Sequence, residues 1–216
     1  VLVRSAVRSG HRVVAVARNK TRLDESVAGL PAEQVRTVEA DVTDWHQISD
    51  AVREAVDTFG RLDVVVANAG LAQSVSFTGA GGADPASWHE MVSTNVLGTA
   101  LTARAALSVL TETKGHLVLL GSISGKVHRP GLYSATKWAV TAMAASIRAE
   151  LVGSGVRITV VQPGVINTQD LRDDLRDRPK LDPETVADAL LFAVGQPATV
   201  DLNEIVIRPT GQPADC

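Results

Sequence analysis

The chain has 216 residues, 45% of them apolar and 21% charged, with a formal net charge of −3; this suits one globular domain with a core of its own and argues against a dedicated nucleic-acid binder, whose domain would be basic. Its single cysteine is the last residue, Cys216, so a disulfide scaffold, a zinc–thiolate site and a cysteine nucleophile are excluded or nearly so. No apolar run reaches ~18 residues and no basic-then-apolar leader opens the sequence, so the default expectation is a cytoplasmic protein without a membrane span.

In chain order, short β-branched runs alternate with helix-length stretches. Val1–Arg8 reads as the back half of an amphipathic helix running into Ser9-Gly10. Strands are expected at Arg12–Ala17, Val35–Val42, Leu62–Ala67, His116–Leu120, Val156–Val161 and Glu204–Arg208. The clearest helix is Asp44–Phe59, where Trp45, Ile48, Val52, Ala55, Val56 and Phe59 recur at helical spacing. Thr43 or Asp44 caps its start, Gly60 follows its end, and Trp45 falls in the stripe read as core. Further helices read from about Pro85 to Leu110, Tyr133 to Val152 and Pro183 to Ala193, while Leu71–Ala86, with its GAGGADP run, reads as a loop.

The strands are continuous Val/Ile/Leu runs rather than strict alternations, the pattern of a parallel sheet buried on both faces and joined by helical crossovers. The expected fold is therefore α/β: a single Rossmann-like, doubly wound domain over residues 1–216, with a sheet between two helix layers. Such a domain places a strand and a glycine-rich turn ahead of its first helix. Neither is found in these residues, so the expected fold is N-terminally incomplete.

Tyr133 is the only tyrosine, and Lys137 follows it in YSATK. On a helix, positions i and i+4 share a face, so phenol and ammonium point the same way. A free tyrosine ionises near pH 10. An ammonium ~4 Å away contributes roughly 4 kcal/mol at an effective dielectric of 20, up to ~3 pKa units, with desolvation opposing part of it. The pair could thus act as a general acid/base near neutrality. Taken alone, an ordinary surface Tyr and Lys is the plainer reading; the neighbourhood changes that. Three strand ends carry small or polar residues: Asn68-Ala69-Gly70, Ser122 with Ser124, and Gln162-Pro163-Gly164. Ligands of open α/β sheets bind outside such carboxyl ends.

ANAG (Ala67–Gly70), STNVLG with Asn95, GSISG with Ser122, YSATK with Tyr133 and Lys137, and PGVINT (Pro163–Thr168) together resemble the short-chain dehydrogenase/reductases, in order and in approximate spacing, over nearly the whole chain. The ending NEIVIRPTGQ is similar to the branch holding NADP-dependent 3-hydroxy acid and serine dehydrogenases. The resemblance implies that Tyr133 exchanges a proton with the substrate oxygen. Lys137 would lower the Tyr133 pKa and bond the nicotinamide ribose, Ser122 would bond the reacting oxygen, and Asn95 would hold a water relay to Lys137. Ser122 is preferred over Ser124 because it falls at the family's strand-end position. The eleven-residue interval from Ser122 to Tyr133 is about two shorter than the family's usual one, so the turn between them is expected to be tight. By the same resemblance Asp41 and Val42 flank the adenine, Asn68, Ala69 and Gly70 the adenosine ribose, and Pro163, Gly164, Ile166 and Thr168 the nicotinamide end.

NAD-specific sites place a carboxylate after the second strand to bond the ribose 2′-hydroxyl. Here that position reads Val16-Ala17-Arg18-Asn19-Lys20, with no acid before Asp24. A guanidinium there suits a 2′-phosphate, so NADP is expected ahead of NAD, with a secondary alcohol or ketone as the small-molecule substrate. Arg129 or Arg172 would suit a substrate carboxylate. The five histidines lack metal-ligand spacing, and no metal is expected. Trp88 and Trp138 are placed near the cleft, and Asp170–Lys180 (DLRDDLRDRPK) reads as a solvated helix or lid. Alanines in Asn95–Leu110 and Tyr133–Val152 allow close helix approach, either to the sheet or, as in the family, between subunits of a homodimer or homotetramer. The alternative function is a non-catalytic binding or scaffold protein lacking a pyrophosphate-binding turn.

Overall fold

The computed structural model describes residues 1–73, 76–79, 84–168, 171 and 175–213. Among these residues six parallel strands form, β1 (Val13–Ala17), β2 (Val35–Glu39), β3 (Val64–Ala67), β4 (His116–Leu120), β5 (Arg157–Pro163) and β6 (Glu204–Ile207). Each falls within two residues of its expected span at either end, apart from the last three residues of Val35–Val42, which leave the ladder. Seven α-helices among the described residues connect or flank them: α1 (Leu2–Arg8), α2 (Lys20–Val27), α3 (Trp45–Phe59), α4 (Pro85–Val92), α5 (Thr99–Thr113), α6 (Leu132–Glu150) and α7 (Pro183–Val194).

The central strands are buried on both faces, as their unbroken apolar runs demand. Leu117, Leu119, Ile158 and Val160 point to one side, where Ala103, Ala106 and Leu110 of α5 and Val140 and Ala144 of α6 close over them. Val118 and Val161 point to the other, against Val186 and Leu190 of α7. Alternation of side chains along each strand thus builds two apolar layers from one sheet. Several of the alanines are thereby accounted for by packing on the sheet.

The strands form two sheets, β1–β2 and β3–β4–β5–β6, that are not hydrogen-bonded to each other. A cavity of about 830 Å³ runs between β1 and β3, lined by Val13–Ala17 on one wall and Val64–Ala67 on the other. It lies where the order of a doubly wound sheet has one more parallel strand. The halves are joined instead by α3 on α5, where Ala40, Ile48 and Ala51 meet Leu101 and Ala105.

Two expectations are corrected, and one helix was not foreseen. The single helix from Pro85 to Leu110 is two helices separated by a π turn, Ser93–Gly98. Trp45 is not core: it opens α3 at 40% exposure, with the Arg104 guanidinium 5.9 Å over its ring. Helix α2 lies in a stretch too polar to announce itself by periodicity; its signal is the Asn19 cap, whose side chain accepts from Arg22 N. Asp44, rather than Thr43, caps α3 by accepting from His46 N and Gln47 N, and Gly60 ends the helix at φ 77°.

Candidate active site at the carboxyl edge of the sheet

Helix α6 turns one face inward along Tyr133, Thr136, Lys137 and Val140, the i, i+3, i+4, i+7 rhythm of a packed stripe; Thr136, Lys137 and Val140 are buried and Tyr133 is half-buried. Lys137 Nζ lies 5.9 Å from the centre of the Tyr133 ring and donates to the Leu120 carbonyl at the end of β4, 2.9 Å away. An ammonium has three donors to satisfy. Burial pushes the Lys137 pKa down from 10.5 to about 8, since removal from water penalises the charged form.

Asn95 is buried in the π turn, an element that recurs at functional sites. Its Oδ1 accepts from Leu71 N at 2.7 Å and its Nδ2 donates to Leu71 O at 2.9 Å, so the amide closes the backbone just after β3 as a second strand would. Nδ2 also donates to Thr136 Oγ1 at 3.0 Å, tying the π turn to α6. The Asn95 carbonyl accepts from Thr99 Oγ1. Its side chain therefore fixes the loop against the helix that carries Tyr133 and Lys137. The sequence reading missed Leu71 and Thr136; Thr136 was legible as the i+3 neighbour of Tyr133 within YSATK.

Gly70 fits between these groups. A Cβ built on it would stand 3.3 Å from Asn95 Oδ1 and 3.5 Å from Lys137 Nζ. Ser122 follows β4 with extended backbone, and its Oγ accepts from Ser124 N, capping the short turn Ile123–Gly125. Ser124 is also buried, and its carbonyl accepts from Ser134 Oγ of α6. The two serines thus play different parts, Ser124 anchoring the turn to α6 while Ser122 stands at the strand end. Gly125 makes this close packing possible, because a Cβ there would lie 2.5 Å from the Lys137 carbonyl.

The remaining expected residues spread along the same edge. Pro163 ends β5 and Gly164 follows, packed on Gln212; Ile166 bridges to Leu181, and Thr168 is exposed. Asn68 and Ala69 follow β3, exposed at the mouth of the inter-strand cavity. Arg18, after β1, and Asp41 with Val42, after β2, line the same cavity. Arg18 is half-exposed and faces the carboxylates of Glu90, at 3.4 Å, and Asp41, at 3.9 Å. Trp88 is half-buried edge-on to Phe77, and Trp138 stacks on His128 at 5.7 Å. Arg129 is half-buried beside the start of α6; Arg172 and parts of Asp170–Lys180 and Leu71–Ala86 lie outside the described residues. Among the described residues no group of three or more His, Cys, Asp or Glu could hold a metal ion.

The edge therefore brings together a phenol, a buried ammonium, a strand-end hydroxyl and a glycine-floored crevice, with a guanidinium at the far end. A profile of the short chain dehydrogenase family matches residues 1–179. An uncharacterized oxidoreductase of Staphylococcus aureus is 37% identical over 204 residues, spanning 93% of this chain and 87% of its own length. Among solved structures, the closed form of a serine dehydrogenase complexed with NADP+ superposes with a TM-score of 0.89 at 28% identity, over 98% of this chain and 90% of that one. An alcohol dehydrogenase from the archaeon Thermococcus sibiricus, complexed with 5-hydroxy-NADP, gives 0.87 at 26% identity, over 98% and 92% of the two chains.

Proposed function

The chain belongs to the short-chain dehydrogenase family and is an oxidoreductase, and from this we infer that it moves a hydride between NADP(H) and a secondary alcohol or carbonyl compound, with Tyr133 as the acid/base. The observation that carries the reading is the buried Lys137 ammonium one helical turn from Tyr133, under Gly70 and bonded to the end of β4. A cation is costly at that depth and is retained where it serves a neighbour or a ligand.

The donor set fits a nicotinamide dinucleotide at both ends. Lys137 has donors beyond the one used by Leu120 and suits a ribose hydroxyl. Asn68, Ala69 and Gly70 leave the backbone after β3 bare for close approach, and Arg18 suits a phosphomonoester. When bound, the nicotinamide supplies or takes the hydride. Tyr133 gives its proton to the carbonyl oxygen in reduction and receives it in oxidation. Lys137 stabilises the phenolate that results, and Ser122 donates to the reacting oxygen as charge develops there. Asn95 keeps the loop after β3 and helix α6 in register, which holds Tyr133 and Lys137 relative to the crevice. Asp41 and Val42 belong to the adenine side, and Pro163, Gly164, Ile166 and Thr168 to the carboxamide side. NADP-bound relatives of similar fold support the choice of cofactor.

Self-association as a homodimer or homotetramer is part of the proposal. Leu97 and Trp138 are exposed large apolar residues of the π turn and α6, and Ala142, Ala145 and Ala149 leave an exposed small-residue face on α6. No described helix is long and apolar enough to cross a membrane.

The test is a fluorescence titration with NADPH and NADH, followed by turnover on a panel of ketones and secondary alcohols for the wild type and Tyr133→Phe. The reading expects selective NADPH binding, and loss of turnover in Tyr133→Phe with NADPH binding largely kept. Retained turnover would remove Tyr133 as the acid/base; binding of neither nucleotide would remove the cofactor assignment.

A further inference from the structure

Arg18 is the one cation of its turn placed to meet a phosphate on the adenosine ribose, because Lys20 is already bonded to both oxygens of Asp24, at 2.5 and 2.6 Å, and to Thr37 Oγ1 at 2.9 Å. Yet the Arg18 guanidinium stands between two carboxylates, Glu90 at 3.4 Å and Asp41 at 3.9 Å. One positive and two negative charges leave the position net negative before any phosphate arrives. A phosphomonoester brings about −1.5 to −2 more, so a 2′-phosphate can settle on Arg18 only if a carboxylate gives way.

The two carboxylates are held differently. Asp41 is locked by its own turn: its Oδ1 accepts from Thr43 N at 2.8 Å and from Thr43 Oγ1 at 2.7 Å. The Glu90 carboxylate has Arg18 as its only partner among the described residues. Glu90 also comes from elsewhere in the fold. It lies on α4, which packs on the π turn and α6, whereas Arg18 follows β1 of the two-stranded sheet. The pair therefore spans the gap between the two sheets, at the mouth of the cavity that Arg18 lines.

We propose that Glu90 is a specificity-determining residue: a displaceable counter-ion that occupies Arg18 in the free protein and must swing away to admit a 2′-phosphate, so that its charge limits how strongly NADPH is preferred over NADH. This rests on the NADP reading above. Nothing about Glu90 opposes a cofactor with a free 2′-hydroxyl, which needs no vacated guanidinium. The Glu90 charge thus weakens NADPH alone. Because Glu90 is half-exposed, the effect is small, screened by salt, and confined to one of two otherwise identical ligands.

The experiment titrates NADPH and NADH against wild type, Glu90→Gln, Glu90→Asp and Arg18→Ala, at low and at high salt. Glu90→Gln is expected to bind NADPH about three- to tenfold more tightly, as removal of one exposed charge a few ångströms from a dianion requires, with NADH changed less than about twofold. Glu90→Asp keeps the charge and is expected to behave as wild type. The gain of Glu90→Gln should shrink at high salt. If Glu90→Gln shifts both nucleotides alike, or neither, while Arg18→Ala weakens NADPH selectively, this proposal falls and the NADP reading stands. If Arg18→Ala leaves the NADPH:NADH ratio unchanged, or the wild type binds neither nucleotide, the NADP reading falls and Glu90 goes with it.

Discussion

Gly70 and Lys137 meet across the crevice: a Cβ added at Gly70 would lie 3.5 Å from the Lys137 ammonium nitrogen. The glycine is there for space rather than for its backbone, since it is not among the glycines with positive φ. Gly70→Ala should therefore fold with a stability change within about 1 kcal/mol. The added methyl enters the space between Asn95 and Lys137, where a small displacement of reacting groups can cost about 10- to 100-fold in rate. Turnover is expected to fall by that order while the urea midpoint stays near wild type. A variant that unfolds early, or one of full activity, would contradict this.

Lys137 makes the stability of the nucleotide-free protein depend on pH in an uncommon direction. Its folded pKa, about 8, lies below its ordinary 10.5 because burial penalises the charge. The native state bears the full penalty below about pH 8 and is relieved of it as pH rises toward 10.5. The relief amounts to about 3 kcal/mol for a shift of this size. Urea midpoints measured at about pH 7.5 and 9.5 should rise for the wild type relative to Lys137→Met. Parallel behaviour of the two proteins would mean that Lys137 titrates as a solvated lysine.

How much of this was legible in the sequence follows from where the physics is local. The strands announced themselves because a sheet buried on both faces needs continuous apolar runs, and Leu117, Val118 and Leu119 are all buried. Helical spacing made the shared face of Tyr133 and Lys137 legible, whereas reading them as a pair drew on the strand ends around them. Trp45 was misread because an apolar residue at the helical period can still fall at the edge of the stripe, where its ring meets Arg104 instead of the core. The break at Ser93–Gly98 was hidden for another reason. No glycine or proline interrupts Ser93–Leu97, and the extra residue per turn is compensated by long-range bonds from Asn95 to Leu71 and Thr136. Glu90 was invisible because its partner is 72 residues away.

His116 sets an acid limit of its own. It is fully buried in β4, with Nε2 2.7 Å from Thr159 Oγ1 and no partner for Nδ1 among the described residues. Burial and, secondarily, the nearby Arg157 charge push its pKa down from 6.5 to about 4. The unfolded chain therefore takes up a proton that the native state refuses. Stability is fully present above about pH 6.5 and is lost as pH falls toward 4. Between pH 7 and 5 the loss should be about 2 kcal/mol. His116→Gln lacks this titration, so its urea midpoint should change less than that of the wild type over the same interval. Equal acid slopes would show that His116 is protonated without cost.

Gly98 packs against Val42 beside the α3–α5 contact that joins the two sheets. A Cβ on Gly98 would stand 2.6 Å from Val42 Cγ2 and 3.3 Å from its Cβ. A β-branched side chain has little freedom to turn aside, so Gly98→Ala must push the π turn away from the segment after β2. Overpacking of this kind costs about 1–3 kcal/mol. Val42→Ala alone loses partly buried methyls and is destabilised for the opposite reason. In the double variant the new methyl occupies the space the valine vacates. Gly98→Ala/Val42→Ala should therefore be no less stable than Val42→Ala, a coupling of at least about 1 kcal/mol that distant sites would not show. Because Asn95 belongs to the same π turn, turnover should recover with stability in the double variant. Additive losses in a denaturation cycle would place the two residues out of contact and leave the α3–α5 packing as what ties the β1–β2 sheet to the rest of the site.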